Sequence, residues 1–167
     1  MRSTALGIAL LVILTACGSQ PPAKRPLSPA AENRIRGQVF LDENKSRPGV
    51  VVLPSGLQYR ILRPGEGEIP GPNSTVRVHY RGMLIDRREF ESSREGDGQP
   101  AVFPLRNVIR GWQEGLSLMP VGSIWELYIP SNLAYGLDRA PDRIGPNQTL
   151  IFEVELLGIV TASAAQP

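Results

Sequence analysis

The chain predicts an α+β domain in which a curved antiparallel β-sheet wraps around one short α-helix. Three observations carry this expectation. Thr75 to Arg81 alternates, with Val76, Val78 and Tyr80 on one face and Arg77, His79 and Arg81 on the other, the period of a half-buried strand. Leu150 to Leu156 repeats the pattern, setting Leu150, Phe152, Val154 and Leu156 opposite Glu153 and Glu155. Between them, one stretch from about Asn107 to Leu118 places Val108, Trp112 and Leu116, with Ile109 beside them, at helical spacing toward the sheet.

The remaining elements follow in chain order. Residues 1–16 read as a secretory signal: Arg2 supplies a positive start, and Leu6 to Leu14 is an apolar run too short to span a bilayer stably. Leu14-Thr15-Ala16-Cys17 then looks like a bacterial lipobox, with small residues ahead of the sole cysteine. Cleavage before Cys17 and lipid on its sulfur would anchor the mature protein, because each buried methylene contributes about 0.8 kcal/mol. Gly18, where inner-membrane retention often uses Asp, directs the expectation to the outer membrane, facing the periplasm.

Residues 17–47 are expected to form a tether rich in proline (Pro21, Pro22, Pro26, Pro29) and then a short helix from 31. Few apolar positions support that helix, and Gly37 weakens it. Residues 48–160 form the folded domain. Val50 to Leu53 and Leu57 to Leu62 are strand candidates around a Pro54-Ser55-Gly56 turn, and Gly65, Gly67, Pro70, Gly71 and Pro72 make a loop. Ile124 to Ile129 is a third strong strand with Leu127 and Ile129 inward, and 161–167 is a disordered tail.

Composition narrows the chemistry. The 167 residues carry 18 basic and 16 acidic side chains, a net charge of +2. The basic residues are scattered rather than striped, so a nucleic-acid partner is not expected. One cysteine excludes a disulfide within the chain, and one histidine with one cysteine excludes the usual zinc sites. No metal or cofactor is expected. Ser92 and Ser93 lack a base partner for hydrolysis, His79 falls on the solvent face, and Met83 and Met119 read as core.

Five blocks then stand in order: Val78-His79-Tyr80-Arg81-Gly82, Phe90-Glu91-Ser92-Ser93, Val108-Ile109-Arg110-Gly111-Trp112, Leu133-Ala134-Tyr135-Gly136, and Leu150-Ile151-Phe152-Glu153-Val154-Glu155-Leu156. Residues 75–158 resemble the FKBP family of peptidyl-prolyl cis-trans isomerases throughout. The upstream segment Gly49 to Tyr59 is similar to the bacterial macrophage infectivity potentiator subgroup and its periplasmic relatives. The resemblance implies an enzyme acting on proline-containing polypeptides of the envelope, bound by macrolides such as rapamycin or tacrolimus. It implies Trp112 as the floor of an aromatic pocket and Tyr80, Phe90, Glu91, Ile109 and Tyr135 as its catalytic set. Phe103, Val108, Ile144 and Phe152 would complete substrate binding. Most of the subgroup's long helical dimerisation region has no counterpart between Cys17 and Val50, which implies a monomer.

Two departures from the family pattern bear on activity. Glu91 stands where most relatives have Asp, and the loop from Leu137 to Arg143 is charged at Asp138, Arg139, Asp142 and Arg143. They leave open a low-turnover chaperone or host-protein binding module that uses the same pocket.

Overall fold

Among the described residues, seven strands and two α-helices follow one another as α1 (Pro29–Asn44), β1 (Val50–Val52), β2 (Gln58–Arg63), β3 (Thr75–Leu84), β4 (Glu89–Ser92), β5 (Ala101–Pro104), α2 (Arg110–Leu116), β6 (Ile124–Ile129) and β7 (Leu150–Val160). The structure, a computed structural model, describes residues 26–137 and 143–160. The signal segment, Cys17, most of the tether, loop residues Asp138, Arg139 and Asp142, and the tail lie outside the described residues.

The sheet is antiparallel in the order β1-β2-β6-β7-β3-β4, with β5 also paired to β3. Val76, Val78, Leu127, Ile129, Leu150, Val154 and Leu156 are all fully buried, so the alternation predicted for β3 and β7 holds residue by residue. Both central strands place one face on α2 and the other toward the convex side. Two four-residue strands, β4 and β5, were not predicted. They are too short to show a period, and they form because β3 offers its second hydrogen-bonding edge to them while β7 covers the first.

Helix α2 is shorter than the sequence suggests. Leu105–Asn107 form a 3-10 turn, and Ile109 is extended at φ −59° and ψ 150°. The side chain of Gln113 donates to the Val108 carbonyl at 2.8 Å, which holds the chain open just before the helix. Val108 and Ile109 therefore sit on the approach to α2 rather than on its face.

Helix α1 departs furthest from expectation. It runs 16 residues, starts at Pro29 behind a Ser28 side chain that accepts from the Ala31 N–H, and buries Gly37, Leu41 and Asn44. Proline at the first helical position and a serine cap are what a helix start requires. The helix belongs to the folded unit: Leu41 packs with Met83, Tyr128 and Ile151 on the convex face, and Asn44 donates to Gln58 at 2.9 Å. Gly37 does not weaken this arrangement but permits it. A Cβ there would lie 2.3 Å from Oγ1 of Thr149, so only glycine lets the helix approach so closely.

The same convex face buries one carboxylate. Glu126 accepts from Tyr128 at 2.6 Å and Arg60 at 3.0 Å, and it is also paired with Arg87. Burial opposes its charge, but the hydrogen bonds from Tyr128 and Arg87 and the charges of Arg87 and Arg60 outweigh it and hold the carboxyl below its ordinary value.

Candidate active site

An open cleft of about 260 Å³ lies between α2, β3 and β7. Trp112, on the first turn of α2, is only 4% exposed. Its ring stands nearly perpendicular to three others: Tyr80 at 5.2 Å and 87°, Phe152 at 5.3 Å and 86°, and Phe103 at 5.8 Å and 85°. Tyr80 and Phe103 also meet at 5.9 Å. Such edge-to-face contacts are the favoured packing of aromatic quadrupoles. The strands explain the convergence, since Tyr80 and Phe152 are inward residues of the neighbours β3 and β7, and β5 brings Phe103 beside Val76.

Polar groups stand at the rim. The Tyr80 hydroxyl donates to Oε1 of Glu91 at 2.7 Å. Burial, then the hydrogen bond and charge of Glu91, with a smaller contribution from Tyr135, push this phenol well above its ordinary value. Tyr135 lines the cleft too, and its phenol is raised by burial and by the charge of Glu91. Both hydroxyls stay protonated across the physiological range and remain hydrogen-bond donors. Among the described residues, the Ile109 N–H donates to no backbone carbonyl.

Of the residues implied by resemblance, Tyr80, Glu91, Phe103, Val108, Ile109, Trp112, Tyr135 and Phe152 line the cleft together. Phe90 and Ile144 do not. Both are buried in the same core, 7% exposed each, and Phe90 stands behind Phe152 with ring centroids 5.7 Å apart. Gly82 makes room for the pair, since a Cβ there would lie 2.7 Å from the Phe90 ring and 2.9 Å from that of Phe152. Asn107 also lines the cleft and was not anticipated. It ends the 3-10 turn, and nothing in its type or spacing marked it.

A smaller depression on the convex face is lined by His79, Arg81, Ser92, Arg94, Glu153 and Glu155. Its charges are internally paired: Arg81 with Glu153, and Arg94 with Glu155. His79, expected on the solvent face, is half-buried, and its Nδ1 stands 3.1 Å from the hydroxyl of Ser93. That serine does have an imidazole beside it, although the same hydroxyl accepts from the Tyr80 backbone N–H at 2.9 Å and so ties β3 to the residue after β4. Tyr80 and Ile124 also line the depression, and its charged groups are paired with one another.

Comparison with known proteins agrees with this geometry. The FKBP-type peptidyl-prolyl cis-trans isomerase family matches residues 66–157, and the domain amino terminal to FKBP-type isomerases matches 19–61. The chain is 50% identical over 134 residues to the outer membrane protein MIP of Legionella longbeachae, covering 80% of this chain and 57% of that one. It is 50% identical over 127 residues to the peptidyl-prolyl cis-trans isomerase Mip of Coxiella burnetii, covering 76% and 55%. The chain thus spans a little over half the length of these relatives. Among solved structures, FkpA from Escherichia coli superposes with a TM-score of 0.75 at 41% identity, over 80% of this chain and 62% of that one. A peptidyl-prolyl cis-trans isomerase from Pseudomonas syringae gives 0.74 at 38% identity, over 81% and 99%.

Proposed function

The chain belongs to the FKBP-type peptidyl-prolyl cis-trans isomerase family, and on that premise we propose that it accelerates rotation about X-Pro bonds in envelope or secreted polypeptides, with the aromatic cleft as its active site. The observation that carries this reading is the ring set in which Tyr80, Phe103 and Phe152 each stand T-shaped to Trp112.

An X-Pro bond crosses a barrier of roughly 18–20 kcal/mol and exchanges unaided in tens to hundreds of seconds. No covalent bond is made or broken, so neither nucleophile nor metal is needed. The twisted amide has lost resonance and part of its dipole, and an apolar site penalises the planar form relative to it. That difference lowers the barrier. Trp112 is the floor under the proline ring, with Tyr80, Phe103, Val108 and Phe152 as walls. The Ile109 N–H and the Tyr135 hydroxyl hold carbonyls flanking the bond. Glu91 orients the Tyr80 hydroxyl, Phe90 backs Phe152, and Ile144 closes the same core from the loop before β7.

A protease-coupled or direct assay with an Ala-Leu-Pro or Ala-Phe-Pro peptide tests the reading. Wild type should accelerate isomerisation, and rapamycin or tacrolimus should inhibit it. Tyr80→Phe removes one hydrogen bond and should lower kcat/KM about three- to tenfold. A folded wild type that does not accelerate the reaction ends the enzyme reading.

Glu91 motivates the second reading, a low-turnover chaperone or host-protein binding module. A large gain in kcat/KM on Glu91→Asp would support it. Because Glu91 already reaches the Tyr80 hydroxyl at 2.7 Å, we expect no gain. We also propose that the mature chain is a monomer held in the bacterial envelope, at the outer membrane, by lipid on Cys17. Cells expressing the full chain should incorporate labelled palmitate into it, and Cys17→Ser should abolish both label and membrane fractionation. Label retained by Cys17→Ser would remove the anchor.

A further inference from the structure

Helix α1 and the loop before β7 are joined where the proposed chemistry makes no use of them. Asn33 donates from Nδ2 to the Pro146 carbonyl at 2.9 Å, and Asn147 donates from Nδ2 to the Ala30 carbonyl at 3.2 Å. These bonds close sequence separations of 113 and 117 residues. One turn along the helix, Gly37 abuts Thr149. Asn147 is held at φ 54°, a left-handed conformation that costs a non-glycine residue free energy unless its surroundings compensate.

The loop reaches the cleft at both ends. The Asn147 backbone N–H donates to the Gly136 carbonyl at 2.6 Å, next to Tyr135. Arg143 donates from Nη1 to the Phe90 carbonyl at 3.3 Å, next to Glu91. Residues 143–149 therefore fasten the neighbours of two polar residues at the rim, and α1 holds the loop from outside.

From this clasp we infer that α1 is a positioning element of the prolyl site, and that Asn33 and Asn147 are positioning residues acting through Gly136 on Tyr135. The inference rests on the isomerase reading above. A hydroxyl that must meet a substrate carbonyl loses its effect when it moves by about 1 Å, and the loop that sets Tyr135 is fixed by residues far away in sequence.

The test uses the full chain. Asn33→Asp keeps the size but removes the donor. Asn147→Gly keeps the left-handed backbone and the bond to Gly136 but removes the side-chain clasp. Asn44→Ala removes the Gln58 contact at the other end of the same helix and serves as the stability control. Each clasp variant should raise KM for an Ala-Leu-Pro peptide about three- to tenfold with kcat within about twofold. Each should also speed amide hydrogen exchange in residues 133–136 and 143–149. Asn44→Ala should lower Tm more and leave KM unchanged. An active wild type whose KM is untouched by both clasp variants overturns the inference, as does a rise in KM for Asn44→Ala in proportion to its loss of Tm. If wild type shows no isomerase activity, the enzyme reading falls by itself. Exchange at 133–136 then reads the clasp alone, and unchanged rates overturn it.

Discussion

Trp112→Leu should lower kcat/KM by about 10- to 100-fold, which is roughly 1.5–3 kcal/mol of lost transition-state stabilisation. Three aromatic rings pack T-shaped with this one, and each such pair contributes about 0.5–1.5 kcal/mol beyond its buried area. The indole Nε1 makes no hydrogen bond among the described residues, so the substitution strands no polar partner. What is lost is shape: leucine cannot present a flat floor to a proline ring while packing against Tyr80, Phe103 and Phe152. Stability should fall as well, by about 2–4 kcal/mol, because a large buried ring is replaced by a smaller side chain. The assay therefore belongs well below the variant's Tm, with the folded fraction measured by circular dichroism. Trp112→Phe should lie between leucine and wild type. A folded Trp112→Leu that keeps wild-type kcat/KM would place the chemistry outside this cleft.

Gly37→Leu should destabilise the protein by about 2–3 kcal/mol, even though leucine is the better helix former. Propensity and packing oppose each other here, so the sign of the result decides between them. Leucine would bring its Cβ into Thr149, 2.3 Å from Oγ1. Relief requires α1 to lift from the convex face, which uncovers Leu41 and its partners Met83, Tyr128 and Ile151. Denaturant unfolding should show a lower midpoint, and amide exchange should rise along Pro29–Asn44. Gly37→Ala should fall between the two, because the first clash is with its Cβ. A gain in stability for either variant would mean that α1 is not docked as described.

The two predictions draw on different sources. The place of Trp112 in the cleft was legible in the chain itself. Val108-Ile109-Arg110-Gly111-Trp112 stands in order with the blocks around Tyr80 and Phe152, and the period of two in β3 and β7 turns those two side chains inward. Alternation survives in sequence because a strand half-covered by a helix must keep one apolar face. The sequence by itself thus determined the α+β class, the central strands and most of the residues that line the cleft.

Tertiary structure decided what depends on distance rather than period. β4 and β5 exist because β3 has a second edge to pair. Phe90 is placed behind Phe152 rather than on the wall by Gly82, and Asn107 enters the cleft because a 3-10 turn ends there. Helix α1 is the clearest case. Its sequence carries little apolar stripe and a glycine at its middle, which reads as weakness when the helix is considered alone. Against Thr149 that glycine is the point of closest approach, and Asn33, Asn44 and Asn147 supply bonds whose partners lie 14 to 117 residues away. Periodicity reports only which face of an element is apolar. A helix held by close approach and long-range hydrogen bonds leaves little trace of that kind, so only the folded chain reveals it.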